Sequence, residues 1–171
     1  MDDMDDIELT ETQKQITDVL ERTIRRFNKN ERYLMENKLC ERCICAQFAM
    51  YLNRSIRRSC FTGYAIDVEY DRGMGGNDAG KKRLFGFDTY LDLIVHKRGY
   101  DPITGYDNLF AIEMKWQGEP FESDKDRLRA LVDNQYGFNY AAGFAIRIIC
   151  DDNRSIYELK IEEPFYNRTH Q

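Results

Sequence analysis

Two dense apolar runs that carry charge in their middles constrain this chain most. Phe87–His96 contains Tyr-Leu-Asp-Leu-Ile-Val and is broken by Asp88 and Asp92, and Leu109–Trp116 reads Leu-Phe-Ala-Ile-Glu-Met-Lys-Trp. Both have the β-branched and aromatic texture of buried strands. Glu113 and Lys115 are two apart, so on a strand they share one face while Ile112 and Met114 take the other. The segment Gly99–Asn108, with Asp101-Pro102 and Thr104-Gly105 as turn signals, allows a hairpin that sets the two runs side by side. Asp92, Glu113 and Lys115 would then converge.

The remaining pattern supplies the frame. Thr10 is placed to cap a helix from about Glu11, with Gln13 at the capping-box position and Ile16, Leu20, Ile24 and Phe27 at helical spacing. A second helix is predicted over Glu31–Ser55 on the stripe Ile44, Phe48, Leu52 and Ile56, with Glu41 on the same side as Ile44. Strand character begins after Gly63, at Tyr64–Tyr70. Ser123 is predicted to cap a helix to about Asn134, followed by strands over Ala141–Cys150 and Ser155–Ile161. The order helix, helix, three strands, helix, two strands is that of an α+β, or mixed α/β, domain. With 171 residues, one domain over 13–171 is expected, behind an acidic, disordered tail at 1–12.

Charge and cysteines narrow the function classes. Residues 1–13 hold six acids and no base, leaving 24 acids against 25 bases in the rest, so the formal charge of -5 comes from the tail. A polyanionic partner is therefore not excluded. No apolar run is long enough for a membrane helix. The acidic start differs from a secretory signal, and five cysteines read as reduced thiols, so a cytoplasmic setting is expected. Cys40, Cys43 and Cys45 invite zinc, but a helix over Leu39–Leu52 would splay them, and no matching Cys/His pair follows. Gly75–Lys82 imitates a phosphate-binding loop and fails it: Lys82 stands where a hydroxyl is needed, and a strand follows instead of a helix.

Asp92, Glu113 and Lys115 require an explanation, because a buried charge is costly unless it is paired or binds a metal. One account is a structural ion pair, or a sheet face open to solvent. The other is a site for Mg²⁺ or Mn²⁺, hard cations that take carboxylate oxygens and keep waters for substrate phosphates. A lysine beside it can orient the attacking water and stabilise the charge of the transition state. Arg54, Arg57 and Arg58 could meet phosphates, Trp116 could stack on a base, and Glu69 or Asp71 could add a metal ligand, but a solvated helix end, packing at the strand end and solvent-facing acids are the simpler readings.

Asp92, followed by Glu113-x-Lys115 at the end of the next apolar strand and then a helix, resembles the PD-(D/E)XK or restriction-endonuclease-like nuclease superfamily. The resemblance spans about residues 36–150 and includes that fold's core, a helix, a three-stranded meander, a helix and a strand. Leu91 departs from the proline that many members place before the aspartate. The resemblance implies a nuclease that cleaves phosphodiesters, foremost a DNA endonuclease. Asp92 and Glu113 would bind Mg²⁺ or Mn²⁺, Glu41 would assist as a further metal ligand, and Lys115 would serve the water. Lys125, Arg127 and Gln135 on the following helix would contact the nucleic acid. The helical N-terminal third offers a homodimer surface. The alternative is a non-catalytic nucleic-acid-binding or scaffold subunit of the same fold, in a defence or mobile-element system.

Overall fold

The computed structural model describes residues 8–70, 83–84, 87–88, 90–99, 107–151 and 156–168. Asp71 and the glycine-rich stretch 75–82 lie outside them. Helix α1 spans Glu11–Asn30 and opens with the expected capping box: Thr10 Oγ1 accepts from the Gln13 N–H at 3.2 Å, and Gln13 Oε1 accepts from the Thr10 N–H at 3.0 Å. Gln13 is itself buried, and its Nε2 donates to the carbonyls of Asn167 and Ala141. The apolar stripe Ile16, Leu20, Ile24 and Phe27 is buried as the spacing predicts.

The predicted helix over Glu31–Ser55 is two helices, α2 at Arg32–Glu36 and α3 at Glu41–Ile56. Lys38 adopts the left-handed conformation (φ 48°), which a continuous helix does not allow. Upstream, the Asn37 side chain donates to the Tyr33 carbonyl and helps to end α2. The break also places Glu41 in the first turn of α3. Ile44, Phe48, Leu52 and Ile56 are fully buried, as expected.

The strands are β1 (Ala65–Tyr70), β2 (Arg83–Leu84), β3 (Phe87–Asp88), β4 (Leu91–His96), β5 (Asn108–Trp116), β6 (Ala142–Cys150) and β7 (Tyr157–Tyr166). The predicted strand Phe87–His96 is thus divided between β3 and β4. A five-stranded sheet runs β1-β4-β5-β6-β7, and β2 and β3 pair separately. Strands β1, β4 and β5 form an antiparallel meander. Strand β6 joins β5 in parallel, and β7 closes the edge antiparallel to β6. Pro164 is tolerated inside β7 because an edge strand needs a ladder on one side only.

Helix α4 (Glu122–Val132) links β5 to β6, as a parallel connection requires. It starts at Phe121 without a side-chain cap, not at Ser123, because the buried Phe121 ring fixes the entry. It ends before Asn134, where Asp133 takes the Gln135 N–H and turns the chain into a 3₁₀ turn.

The sheet is covered on both faces. Leu93, Val95, Phe110, Ile112, Met114, Phe144 and Ile146 pack toward α1 and α3, while Ile94, Ala111 and Ala145 pack with Leu128 and Leu131 of α4. Mixed α+β architecture is therefore observed. Among the described residues no helix is long and apolar enough to cross a membrane.

Gly143 on β6 sets the height of α4. A Cβ there would stand 3.3 Å from both Cβ and Cδ2 of Leu128, tighter than ordinary contact. Gly143→Val adds a residue of better strand propensity, yet it is expected to destabilise the fold by about 1–3 kcal/mol through overpacking. Urea unfolding measures this, and an unchanged or higher midpoint would mean that α4 rides freely on the sheet.

Candidate active site

The site is built where the ladder between β4 and β5 stops. Regular pairing ends at Leu93 with Ile112, and the next step in that register sets Asp92 opposite Glu113. There the two acids take over main-chain hydrogen bonds. The Met114 N–H donates to Asp92 Oδ2 at 2.7 Å, and the Asp92 N–H reaches Glu113 Oε2 at 3.4 Å. The acids therefore bridge the strand ends while meeting each other on the face beneath α4. Glu113 is only 2% exposed, and Asp92 is half-buried.

Two helices complete the cluster. From the first turn of α3, Glu41 accepts from Lys115 Nζ at 3.1 Å and from the Trp116 N–H at 3.2 Å. From α4, Arg127 places Nε and Nη2 each 3.0 Å from Glu113 Oε1 and also pairs with Asp124. The arginine fork thus covers the outer oxygen of Glu113.

Electrostatics follow from this packing. Burial raises the Glu113 carboxyl well above the usual range, and the Asp92 charge adds to it, against the pull of Arg127. Burial also raises Asp92, opposed by its hydrogen bonds to Met114 and Glu113. Burial works to lower Lys115, but the hydrogen bond and charge of Glu41 outweigh it, so the ammonium is held above its usual value. Cys45, behind the site on α3, is raised by burial and then by Asp92, Glu41 and Glu113, which leaves an inert thiol against Met114 Sδ.

The other predicted residues are spread out. Lys125 turns to β7, with Nζ 2.7 Å from Glu162 and 3.2 Å from Glu163. Gln135 bonds to Asp133 beyond α4. Arg127 lies inside the cluster. Trp116 packs edge-on against Tyr157. Of the basic residues between Arg54 and Arg98, Lys97 pairs with Asp107 and Arg98 with Asp67. Asp124 is a member of the cluster that the sequence reading omits. Its signal was present, since Asp124 and Arg127 are three apart on one helix face.

No protein-family model, curated protein or solved structure matches this chain.

Among the described residues no group of three or more His, Cys, Asp and Glu side chains is gathered to hold a metal ion. Mg²⁺ does not require such a cage, because one or two carboxylates with waters suffice. Asp92 and Glu113 fit that role in donor type; burial is the main cause of their raised proton affinity, and Arg127 already pairs with Glu113.

The same shifts set a pH dependence. A carboxyl whose folded value is raised favours the folded state at low pH and withdraws that support as pH climbs through the folded value. Stability is therefore expected to fall from the ordinary carboxylate range upward as Glu113 and Asp92 ionise. Asp92→Asn keeps an oxygen for the Met114 N–H and removes one charge. It should flatten the decline and add on the order of 1 kcal/mol at neutral pH. Urea unfolding at several pH values checks this, and a destabilised Asn variant would show that the carboxylate is held for structure.

Proposed function

We propose that this chain is a divalent-cation-dependent nuclease with a restriction-endonuclease-like core, hydrolysing phosphodiester bonds and acting as a DNA endonuclease. The observation that carries the reading is the pair of adjacent carboxylates, Asp92 and Glu113, at the end of the β4–β5 ladder with Lys115 one strand repeat beyond. The element order α3, β1, β4, β5, α4, β6 supports the same reading, since it supplies a helix, an antiparallel meander, a second helix and a parallel strand.

In this mechanism Asp92 and Glu113 would hold Mg²⁺ or Mn²⁺, which would supply Lewis-acid polarisation of the phosphoryl oxygens. Glu41 fixes the position and charge of Lys115. The protonated ammonium then orients the attacking water and stabilises negative charge on the phosphoryl oxygens, as a preorganised donor rather than a base. Water attacks phosphorus in line with the leaving oxygen: a P–O bond forms to the water oxygen as the P–O bond to the leaving group breaks, the water's proton passes to solvent, and the leaving alkoxide takes a proton from solvent.

The test is incubation with circular plasmid, linear duplex and single strands in Mg²⁺, Mn²⁺ or EDTA. Cation-dependent cutting, reduced about 100-fold or more in Lys115→Ala, is the expected result. Absence of cutting together with absence of cation-induced thermal stabilisation would overturn the proposal.

One observation favours a second reading, a nucleic-acid-binding subunit without catalysis. Arg127 already neutralises Glu113 from within the chain. The two readings differ in what Arg127→Ala does. In the nuclease, removing the competing guanidinium should tighten Mn²⁺ binding several-fold by calorimetry, and Asp92→Ala should abolish it. In a binding subunit neither variant gains or loses a cation, and Arg127→Ala, which leaves Glu113 buried and unpaired, only destabilises.

A further inference from the structure

Two cysteines lie side by side at the start of α3. Cys40 is its N-cap residue and Cys43 lies in its first turn, a spacing of three that places both on one face. Their sulfurs are 3.1 Å apart and both residues are exposed. An approach of about 1 Å more gives a disulfide bond length. Between them in sequence stands Glu41, which holds Lys115 and the Trp116 N–H. Beside them opens a cleft of about 740 Å³ lined by Lys38, Cys40, Glu41, Arg42, Trp116 and Glu119, giving a second molecule access to Cys40.

We propose that Cys40 and Cys43 are a redox-active dithiol that exchanges with small-molecule or protein disulfides, closing a bond across Glu41 and thereby acting on Lys115. Cys40 is the attacking sulfur because it lines the cleft, while Cys43, 3.1 Å from it, is placed as the resolving thiol. The Cys40 thiolate displaces one thiol from an external disulfide, forming a mixed disulfide. Cys43 then gives up its proton, attacks the Cys40 sulfur and expels the second thiol. The protein loses two electrons and two protons, and the external disulfide is reduced to two thiols. The exchange chemistry is independent of whether the site cleaves phosphodiesters.

The test treats the native, full-length protein with oxidised glutathione at graded ratios to reduced glutathione, followed by alkylation and peptide mass spectrometry. Cys60, exposed and hydrogen-bonded to Gln15, is the internal comparison. The expected result is a Cys40–Cys43 disulfide in the wild type, and in Cys43→Ser a trapped glutathione adduct on Cys40. Absence of the Cys40–Cys43 disulfide at every ratio, or a stable glutathione adduct on Cys40 in the wild type, would overturn the proposal. The link to Glu41 is read at Lys115, whose acetylation rate under a lysine-selective reagent should differ at least threefold between oxidised and reduced protein. Cys43→Ser should show no such change under the same conditions. Equal rates in the wild type would overturn the link. None of these readouts is nuclease activity, so a failed cleavage assay and a failed redox assay remain separate results.

Discussion

The hydrogen bond from the Met114 N–H to the Asp92 carboxylate holds together the part of the structure on which the rest of the site depends. An antiparallel pair that ends abruptly leaves main-chain donors without partners, and a buried donor left unpaired is expensive. Here the side chains of the two terminal positions provide the acceptors. Because the acceptors are carboxylates, satisfying the backbone concentrates negative charge at the same point. Everything around it answers that charge. Arg127 covers Glu113, Lys115 stands one repeat along β5, and Glu41 keeps the lysine in place.

This arrangement separates two roles that a buried acid can have. Asp92 and Glu113 hold the strand ends, which a neutral amide could also do, and burial raises the proton affinity of both, which a neutral amide would avoid. A site built for architecture alone gains nothing from burying titratable groups there.

Much of the frame was legible from sequence because it rests on period. The α1 capping box, the stripe of α3 and the alternation in β5 are local signals, and each occurs where the spacing places it. The convergence of Asp92 with Glu113 was legible for the same reason, since a hairpin between two strands leaves little choice of register. What escaped the reading depends on backbone conformation at single residues or on burial of single rings. Lys38 in the left-handed region splits a predicted helix, and no apolar period reports it. Cys40 and Cys43, expected to be splayed, stand side by side, as residues three apart at a helix start do. The Phe121 ring displaced the predicted cap at Ser123. Lys125, expected to contact nucleic acid, pairs with Glu162 and Glu163 of β7, acids whose proximity only the tertiary fold creates.

The junction of α1 with β7 has a consequence for how the chain is made. Gln13 bonds to the carbonyl of Asn167, Thr17 to the Tyr166 hydroxyl, and Asn28 takes both main-chain groups of Leu159. Helix α1 thus leaves the ribosome well before its partners on β7 and at Asn167. Until they arrive, its stripe of Ile16, Leu20, Ile24 and Phe27 lacks the strand that closes over it. Contacts so distant in sequence form late and leave nascent apolar surface open to chaperones and to other chains. Slowing translation over the codons of β7 should therefore lower soluble yield more than slowing it over α1.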